Sequence, residues 1–240
     1  MRWGNQYFQN LIKPDGSLYD SIFYPNDFKQ RKVYDGHPPY YGVCNVINAQ
    51  CMSARMFAEK DPEYAARCCA LAERVWGYYT SDQAPETGYD PSFVPQYHDF
   101  LPKWCAQNYD GSALRYGDRL YCDIELYKTT GKEVYLWDAR DCARRLCDLQ
   151  DLTGGDGDGS FYRDDKRIER ISTTDDGALG PLGLLELIRM DRAASGGYLE
   201  NAKRYAEHLM RMAERNPWGL IACYLYASKV PGSRSMGELY

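Results

Sequence analysis

Apolar positions recur at helical spacing in three pairs of adjacent segments along the chain. The stretch ELYKTTGKEVYL (125–136) shows how the two members of a pair meet: Gly131 ends one helix, and Lys132 and Glu133 begin the next. The same arrangement occurs twice more at long and variable intervals, which is typical of a repeated helical hairpin. The pattern predicts three hairpins, at about 43–80, 112–150 and 174–216.

The two members of a hairpin differ in how their apolar residues are distributed. The second members carry one narrow apolar stripe, as outer helices do: Leu136, Ala139, Ala143 and Leu146 in the second hairpin, and Leu199, Ala202, Ala206, Leu209 and Ala213 in the third. His208 falls on the polar side of its helix, where we expect it to be solvated. In contrast, ALGPLGLLELIRM (178–190) is apolar on nearly all sides and is predicted to be covered on both faces. An inner and an outer helical layer predict an all-α fold, the α/α toroid.

The two ends of the chain look like incomplete hairpins. Residues 1–13 have the pattern of an outer helix, and residues 217–229 have that of an inner one. Six hairpins at these spacings need roughly 350–450 residues. We therefore expect one partial toroid domain over residues 1–240, about half of an (α/α)6 barrel. Such a chain is either a fragment or associates with itself through its unpaired end helices.

Composition narrows the classes of function. The net charge is −5 and the basic residues form no run, which argues against nucleic acid and membrane surfaces as partners. No apolar stretch is long enough to cross a bilayer, and the N-terminus shows no signal peptide. The nine cysteines include no CxxC pair. We expect reduced, mostly buried thiols and a reducing or anaerobic setting, with a disulfide in an exported protein as the alternative.

Long loops before the inner helices contain the candidate chemistry. The chain has 22 tyrosines, whose rings suit cores as well as sugar-stacking clefts. In the loop 151–177, Asp156 and Asp158 have the alternate spacing of a calcium loop, but the twelfth position is Arg167, where such a loop needs a glutamate. The sequence therefore predicts a solvated turn there, and no metal or cofactor.

Four segments resemble glycoside hydrolase family 9, in the family's order. YGDRLYCDIELYKTTGKEVYLWDA (116–139) is similar to a helical corner in which Asp-Glu-Leu-x-Trp leads into Leu-Tyr-x-x-Thr-Gly-x-x-x-Tyr-Leu. RWGNQYFQNLIKPDGSLYDSI (2–22) is similar to a helix followed by a Gln-x-x-Asp-Gly-Gly-x-Tyr turn. RKVYDGHPPYY (31–41) resembles an Arg-x-Val-Tyr segment before an inner helix, and AERNPWGL (213–220) resembles an Asn-Pro-Phe-Gly motif. The resemblance covers most of residues 1–220.

The resemblance implies inverting hydrolysis of a β-1,4-linked glucan or a related polysaccharide. In the family the base comes from an Asp-Ala-Gly-Asp motif upstream of the first matched segment, and the acid is a Glu downstream, after a His-x-Arg pair. Residues 1–240 contain neither motif, so no catalytic residue carries over and we expect this chain alone to be inactive. The sugar-binding wall carries over by position, as His37, Tyr40, Tyr41, Trp104, Tyr109 and Tyr121.

The same residues leave alternatives open. Asp118 and Tyr121 match the family only loosely, because Arg119 and Tyr121 replace Glu and Trp, and the six site residues could instead pack the loops onto the helices. A second candidate is another α/α-toroid enzyme, an unsaturated glucuronyl hydrolase or an epimerase, that uses loop carboxylates such as Asp110, Asp118 or Asp176. A third is a non-catalytic helical-repeat protein whose aromatic loops bind a partner.

Overall fold

The computed structural model of the chain describes residues 2–19, 21–23, 32–34, 40–81, 111–168, 170–171, 178–191, 195–215, 219 and 221. At 21–23, 32–34, 40–41 and 195–196 only the backbone is described. The helices of the described part are α1 (Arg2–Leu11), α2 (Tyr40–Phe57), α3 (Pro62–Tyr79), α4 (Ala113–Thr130), α5 (Glu133–Asp148), α6 (Leu179–Met190) and α7 (Ser195–Glu214). They agree with the helical fold predicted from the sequence.

One short strand pair was not predicted. Strand β1 (Ser21–Phe23) pairs antiparallel with β2 (Lys32–Tyr34), and Ile22 lies opposite Val33. The inner segment predicted at 217–229 lies outside the described residues except for positions 219 and 221, neither of which is helical. That the chain is one partial toroid domain stays a prediction.

Local signals set the helix ends. Gly131 has φ +69, and its amide donates to the Tyr127 carbonyl at 2.8 Å, so it closes α4 in the left-handed conformation that favours glycine. At the start of α3 the Asp61 carboxylate accepts from the Tyr64 amide at 3.1 Å, and Pro62 follows the cap. These contacts explain why the turn between hairpin helices is so short.

The first of two compact units comprises Met1–Asp110 and Glu125–Tyr135. Its helices α2 and α3 pack through Ala54, Tyr64 and Cys68. Helix α1 joins them through buried polar groups: Asn5 donates to the Tyr64 hydroxyl at 2.8 Å and accepts from the Gln50 amide at 2.7 Å. A buried amide network of this kind is stable because each polar group finds a partner.

The second unit comprises Gly111–Ile124 and Leu136–Tyr240. Helix α4 lies against α6 at glycines, since a Cβ added to Gly183 would come within 2.7 Å of Leu120 Cγ. The stripe predicted for α5 is buried as expected: Leu136, Ala139, Ala143 and Leu146.

The buried face of α7 corrects the prediction for the third outer helix. Ala202 is buried, but Leu199 is 39% exposed and Ala206 is exposed. The buried positions are instead Ala202, Tyr205, His208 and Met212. The expectation that His208 is solvated is wrong, because its side chain has no exposed surface. Phe161 from the preceding loop packs on the Tyr205 ring with centroids 5.5 Å apart. This contact orients α7 so that Tyr205 and His208 lie on its buried face.

Helix α6 is buried on one face only. Its covered positions are Gly180, Pro181, Gly183, Leu184 and Leu187. Leu182 and Leu185 are 42% and 41% exposed, so the prediction of cover on both faces does not hold for the described structure. The glycines explain the asymmetry, because they turn toward α4 and permit close backbone approach there.

Candidate functional site

The beginning of α4 carries the two candidate residues whose side chains the structure describes in the resembling segment. The Ser112 hydroxyl accepts from the Arg115 amide at 3.2 Å and caps the helix. One and a half turns later Asp118 is buried, at 2% exposure, and Tyr121 is partly buried.

The loop that precedes α6 in sequence touches this end of α4. The Ala113 amide donates to the Arg163 carbonyl at 2.8 Å, which satisfies one of the amides left free at a helix start. Behind this contact Arg170 bonds to the Asp151 carboxylate and its guanidinium lies 4.7 Å from the centre of the Tyr162 ring. Arg170 therefore fixes the shape of the loop beside α4.

Hydrogen bonds keep the Asp151 carboxylate ionised at neutral pH. Burial raises the pKa of Asp151, but hydrogen bonds from Arg170 and Thr153 outweigh it and bring this pKa to about 2. The pKa of Asp15 is lowered by the Ser17 hydroxyl, and that of Asp141 by Arg144. A general acid in glycoside hydrolysis needs a raised pKa, so none of these three carboxyl groups has the property that the role requires.

Two groups of acidic residues have the composition of cation sites. Asp123, Asp138 and Cys142 place one ligand atom each within 4.8 Å of one another, but Arg119 already lies between the two carboxylates, bonded to Asp138 and 3.9 Å from Asp123. Burial and the neighbouring carboxylates raise the pKa of the Cys142 thiol. The group is held together as an ion-pair cluster.

The Gly/Asp-rich turn is likewise paired with arginine. Asp156 lies 2.8 Å from Arg215, and Asp158 lies 3.5 Å from Arg204 and 3.9 Å from Arg211. The turn is therefore attached to α7 through charge. The turn is solvated in part, as predicted from the sequence: the Asp156 side chain is 75% exposed, whereas that of Asp158 is 17% exposed.

The six predicted sugar-contact residues are distributed as follows. Tyr40 and Tyr41 are the first residues of α2, with only their backbone described. Tyr121 lies on α4 and is partly buried. His37, Trp104 and Tyr109 lie outside the described residues, as do the alternative carboxylates Asp110 and Asp176. The assignment of all six to a glycan site stays a prediction.

Two residues that matter in the structure were not found from the sequence as site residues. Arg170 contacts both Asp151 and Tyr162 within the loop. His208 on α7 is fully buried. Neither has a periodic partner: Arg170 and Asp151 are 19 residues apart within one irregular segment. No local sequence pattern marks either residue, and the close approach of Gly157 to the Arg170 guanidinium is visible only in the structure.

The chain belongs to Glycosyl hydrolase family 9, whose family model matches residues 1–166. Among solved structures, a metagenome-derived glycoside hydrolase family 9 endoglucanase is similar with a TM-score of 0.60 and 19% identity, covering 92% of this chain and 36% of that one. A GH9 protein of Bacteroides ovatus is similar with a TM-score of 0.56 and 19% identity, covering 92% of this chain and 39% of that one. GH family 9 endoglucanase J30 has a TM-score of 0.52 and 18% identity, over 94% of this chain and 37% of its own.

These likenesses establish the fold, an all-α α/α toroid, as the sequence predicted. The chain spans between a third and two fifths of the length of the structures it matches. No curated protein matches it. No helix in the described part of the chain is long and apolar enough to span a membrane.

Proposed function

We propose that residues 1–240 are the central portion of a family 9 catalytic domain that hydrolyses a β-1,4-linked glucan or related polysaccharide with inversion. The observation that carries the proposal is the family match over residues 1–166, on a chain whose resembling segments follow the family's order. In this proposal the chain contributes part of the glycan cleft and binds an oligo- or polysaccharide. Family membership favours it over the uronyl hydrolase, epimerase and non-catalytic repeat alternatives.

The acid and the base come from family segments other than residues 1–240. Inversion requires two carboxyl groups far enough apart to admit a water beside the sugar, one of them protonated. Asp15, Asp141 and Asp151 have lowered pKa values, and each is explained by a local hydrogen bond. This supports a structural role for these carboxylates in the part of the chain that the structure describes.

The glycan wall is proposed to be made by rings at the beginnings of the inner helices. Aromatic rings pack against the C–H faces of a pyranose while neighbouring polar groups bond its hydroxyls. Tyr40 and Tyr41 are the first two residues of α2, and Tyr121 lies two turns into α4. His37, Trp104 and Tyr109 belong to the loops that precede these helices in sequence.

Binding can be tested on the chain as it is, by titrating cello-oligosaccharides while following tryptophan fluorescence and heat. The proposal expects weak, saturable binding that is lost in Trp104→Ala and reduced in Tyr41→Ala. Trp137→Ala is the matched control, because Trp137 is 64% exposed on α5 and belongs to an outer helix. Equal loss in Trp104→Ala and Trp137→Ala, or no response to any glycan, would count against a glycan wall in this chain.

Self-association is the second part of the proposal. Met52 and Met56 on α2 are 43% and 46% exposed, and Leu182 and Leu185 on α6 are 42% and 41% exposed. Exposed apolar pairs of this kind favour association between copies of the chain. We expect sedimentation equilibrium to give a dimer or higher species that Leu185→Lys shifts toward monomer, whereas Val134→Lys on α5 leaves it unchanged. A monomer at all concentrations would rule this part out.

A further inference from the structure

His208 is a buried imidazole in the middle of α7. Its side chain has no exposed surface. Neither ring nitrogen makes a hydrogen bond of good geometry with a described residue, although the Asp158 backbone lies close enough to favour a charged ring. Burying an imidazole without a hydrogen bond is costly even when the ring is neutral, and much more costly when it is charged. A position of this kind is therefore sensitive to the protonation of one side chain.

The loop before α6 packs against the α7 backbone at Arg204 and against the Cβ of His208. Gly159 has φ +86, and a Cβ added there would overlap the Arg204 carbonyl and come within 3.2 Å of His208 Cβ. Gln150 links the loop to α7, because its side-chain amide donates to the carbonyls of Gly159 in the loop and of Asn201 in α7, at 2.9 Å each. The loop backbone at 159 and the His208 side chain therefore share one tightly packed space.

The charges around the ring are mostly positive. Its charged and titratable neighbours come from α7 and from the loop, and they are Tyr205, Arg211, Arg215, Arg170 and Asp158. The Asp158 carboxylate pairs with Arg204 and Arg211, and its backbone is the one neighbour that favours a charged ring. Burial is the largest cause and Arg211 the next, and together they lower the pKa of His208 to about 4.

We propose that the packing of the 151–162 loop on α7 is sensitive to acid and depends on His208 being neutral. We call this arrangement the His208 latch. The neutral ring is accommodated beside the loop, whereas the imidazolium is disfavoured by burial and by the neighbouring arginines and has only the Asp158 backbone to favour it, so its protonation releases the loop. The loop continues to Arg163, whose carbonyl bonds to the first amide of α4. Acid therefore loosens the segment that supports the beginning of α4.

The direction follows from linkage. The pKa of His208 is near 6.5 when the ring is free and about 4 in the closed state, so the open state binds more protons below pH 6.5. The closed state is fully favoured above pH 6.5 and loses its advantage as the pH falls toward 4. Between pH 7.0 and 4.5 this coupling increases the opening equilibrium by roughly fiftyfold.

Hydrogen exchange of the full chain measures the opening directly and needs no glycan, so its result is independent of the proposed activity. Protection factors for amides of 157–162 and of α7 are expected to fall roughly fiftyfold between pH 7.0 and 4.5. In His208→Leu, which keeps an apolar group of similar size without a charge, they should fall less than fivefold. Glu207→Gln, an exposed neighbour on α7, should behave as the wild type, and α3 should keep its protection throughout.

Several outcomes would overturn the proposal. One is a His208→Leu chain with the same acid response as the wild type, above all if Asp158→Asn abolishes it, since the Asp158 ion pairs would then be the acid-sensitive element. Another is equal loss of protection in α3, which would mean global unfolding. Should His208→Leu fail to fold, a 15N NMR titration of the wild-type histidines decides: a pKa near 4 for His208 supports the latch, and one near 6.5 refutes it.

Discussion

Gly117 on α4 and Gly180 on α6 bring two helix backbones into contact. A Cβ added to Gly117 would lie 2.9 Å from the Cα of Gly180 and 3.0 Å from its amide nitrogen. Gly180 also faces α5, because a Cβ there would lie 2.9 Å from Leu146 Cδ2. These two glycines set how closely the helices that begin next to the loops can approach.

Gly117→Ala should therefore destabilise the protein although alanine favours a helix. The helix preference gains about 1 kcal/mol, but overpacking against a backbone costs about 1–3 kcal/mol, so we expect a net loss of up to about 2 kcal/mol. Gly77→Ala on α3 is the control, because nothing lies within 4 Å of a Cβ there and the same change should stabilise. Urea unfolding midpoints check this; a Gly117→Ala midpoint equal to that of Gly77→Ala would contradict the close contact.

Arg55→Met should be costly because Glu125 is buried, at 2% exposure, and Arg55 bonds to both its carboxylate and its carbonyl. Lys128 stays within 3.1 Å of the same carboxylate, so we expect a loss of about 2–3 kcal/mol in the free energy of unfolding, at or below the range for breaking a buried pair. Arg144→Met removes an exposed pair with Asp141 and should cost less than about 1 kcal/mol. Similar losses of unfolding free energy in the two variants would contradict the claim that the buried Arg55–Glu125 pair contributes more to stability than an exposed pair.

Arg170→Met should raise the pKa of Asp151, which the structure places at about 2 against an ordinary 3.8. Because this pKa is depressed in the folded state, the stabilisation is present above pH 3.8 and is lost as the pH falls toward 2. The difference corresponds to about 2 kcal/mol at pH 7. Carboxyl 13C titration of Asp151 and unfolding at pH 7 and pH 3 check the effect, with Arg189→Met, an exposed pair with Glu186, as the control. An Asp151 pKa unchanged in Arg170→Met would disprove the role of this pair.

Two cysteines, the buried Cys51 and the partly buried Cys147, should be unreactive in the folded chain. Burial raises the pKa of Cys51 and of Cys147 to about 12, so very little thiolate is present at pH 8. Iodoacetamide should label Cys51 and Cys147 at least tenfold more slowly in the folded chain than it labels a free thiol, and at the ordinary rate after unfolding. Peptide mapping identifies the labelled positions. None of the seven described cysteines forms a disulfide with another described residue, while Cys105 and Cys223 lie outside the described residues. Rapid labelling of Cys51 would contradict its burial.

Helix pairing was predictable because its signals are local. Gly131 adopts the left-handed turn that its position in the corner predicted, and the α5 stripe is buried as its spacing required. The register of α7 was not predictable, because it depends on Phe161 and Gly159 from a distant loop. A pattern of apolar letters also overlooks histidine and tyrosine, which here occupy the buried face.

The family was predictable through resemblance, whereas the candidate site stays a prediction. Segments around 31–41 and 116–139 identified the family, which the match over residues 1–166 then established. Residue roles did not follow in the same way, because a substituted position such as Tyr121 has no local rule that says whether it binds sugar or packs. Long-range ion pairs such as Arg170 with Asp151 leave no periodic trace in the sequence.

The most direct test of the central claim is glucan hydrolysis by two proteins. One is residues 1–240, and the other is the same chain continued at both ends to include the family's base and acid motifs. We expect new reducing ends only from the longer protein, with the inverted anomer as first product in 1H NMR. Hydrolysis by residues 1–240 alone, abolished by Asp118→Asn or Asp176→Asn, would contradict the claim, because the acid and base would then lie within this chain.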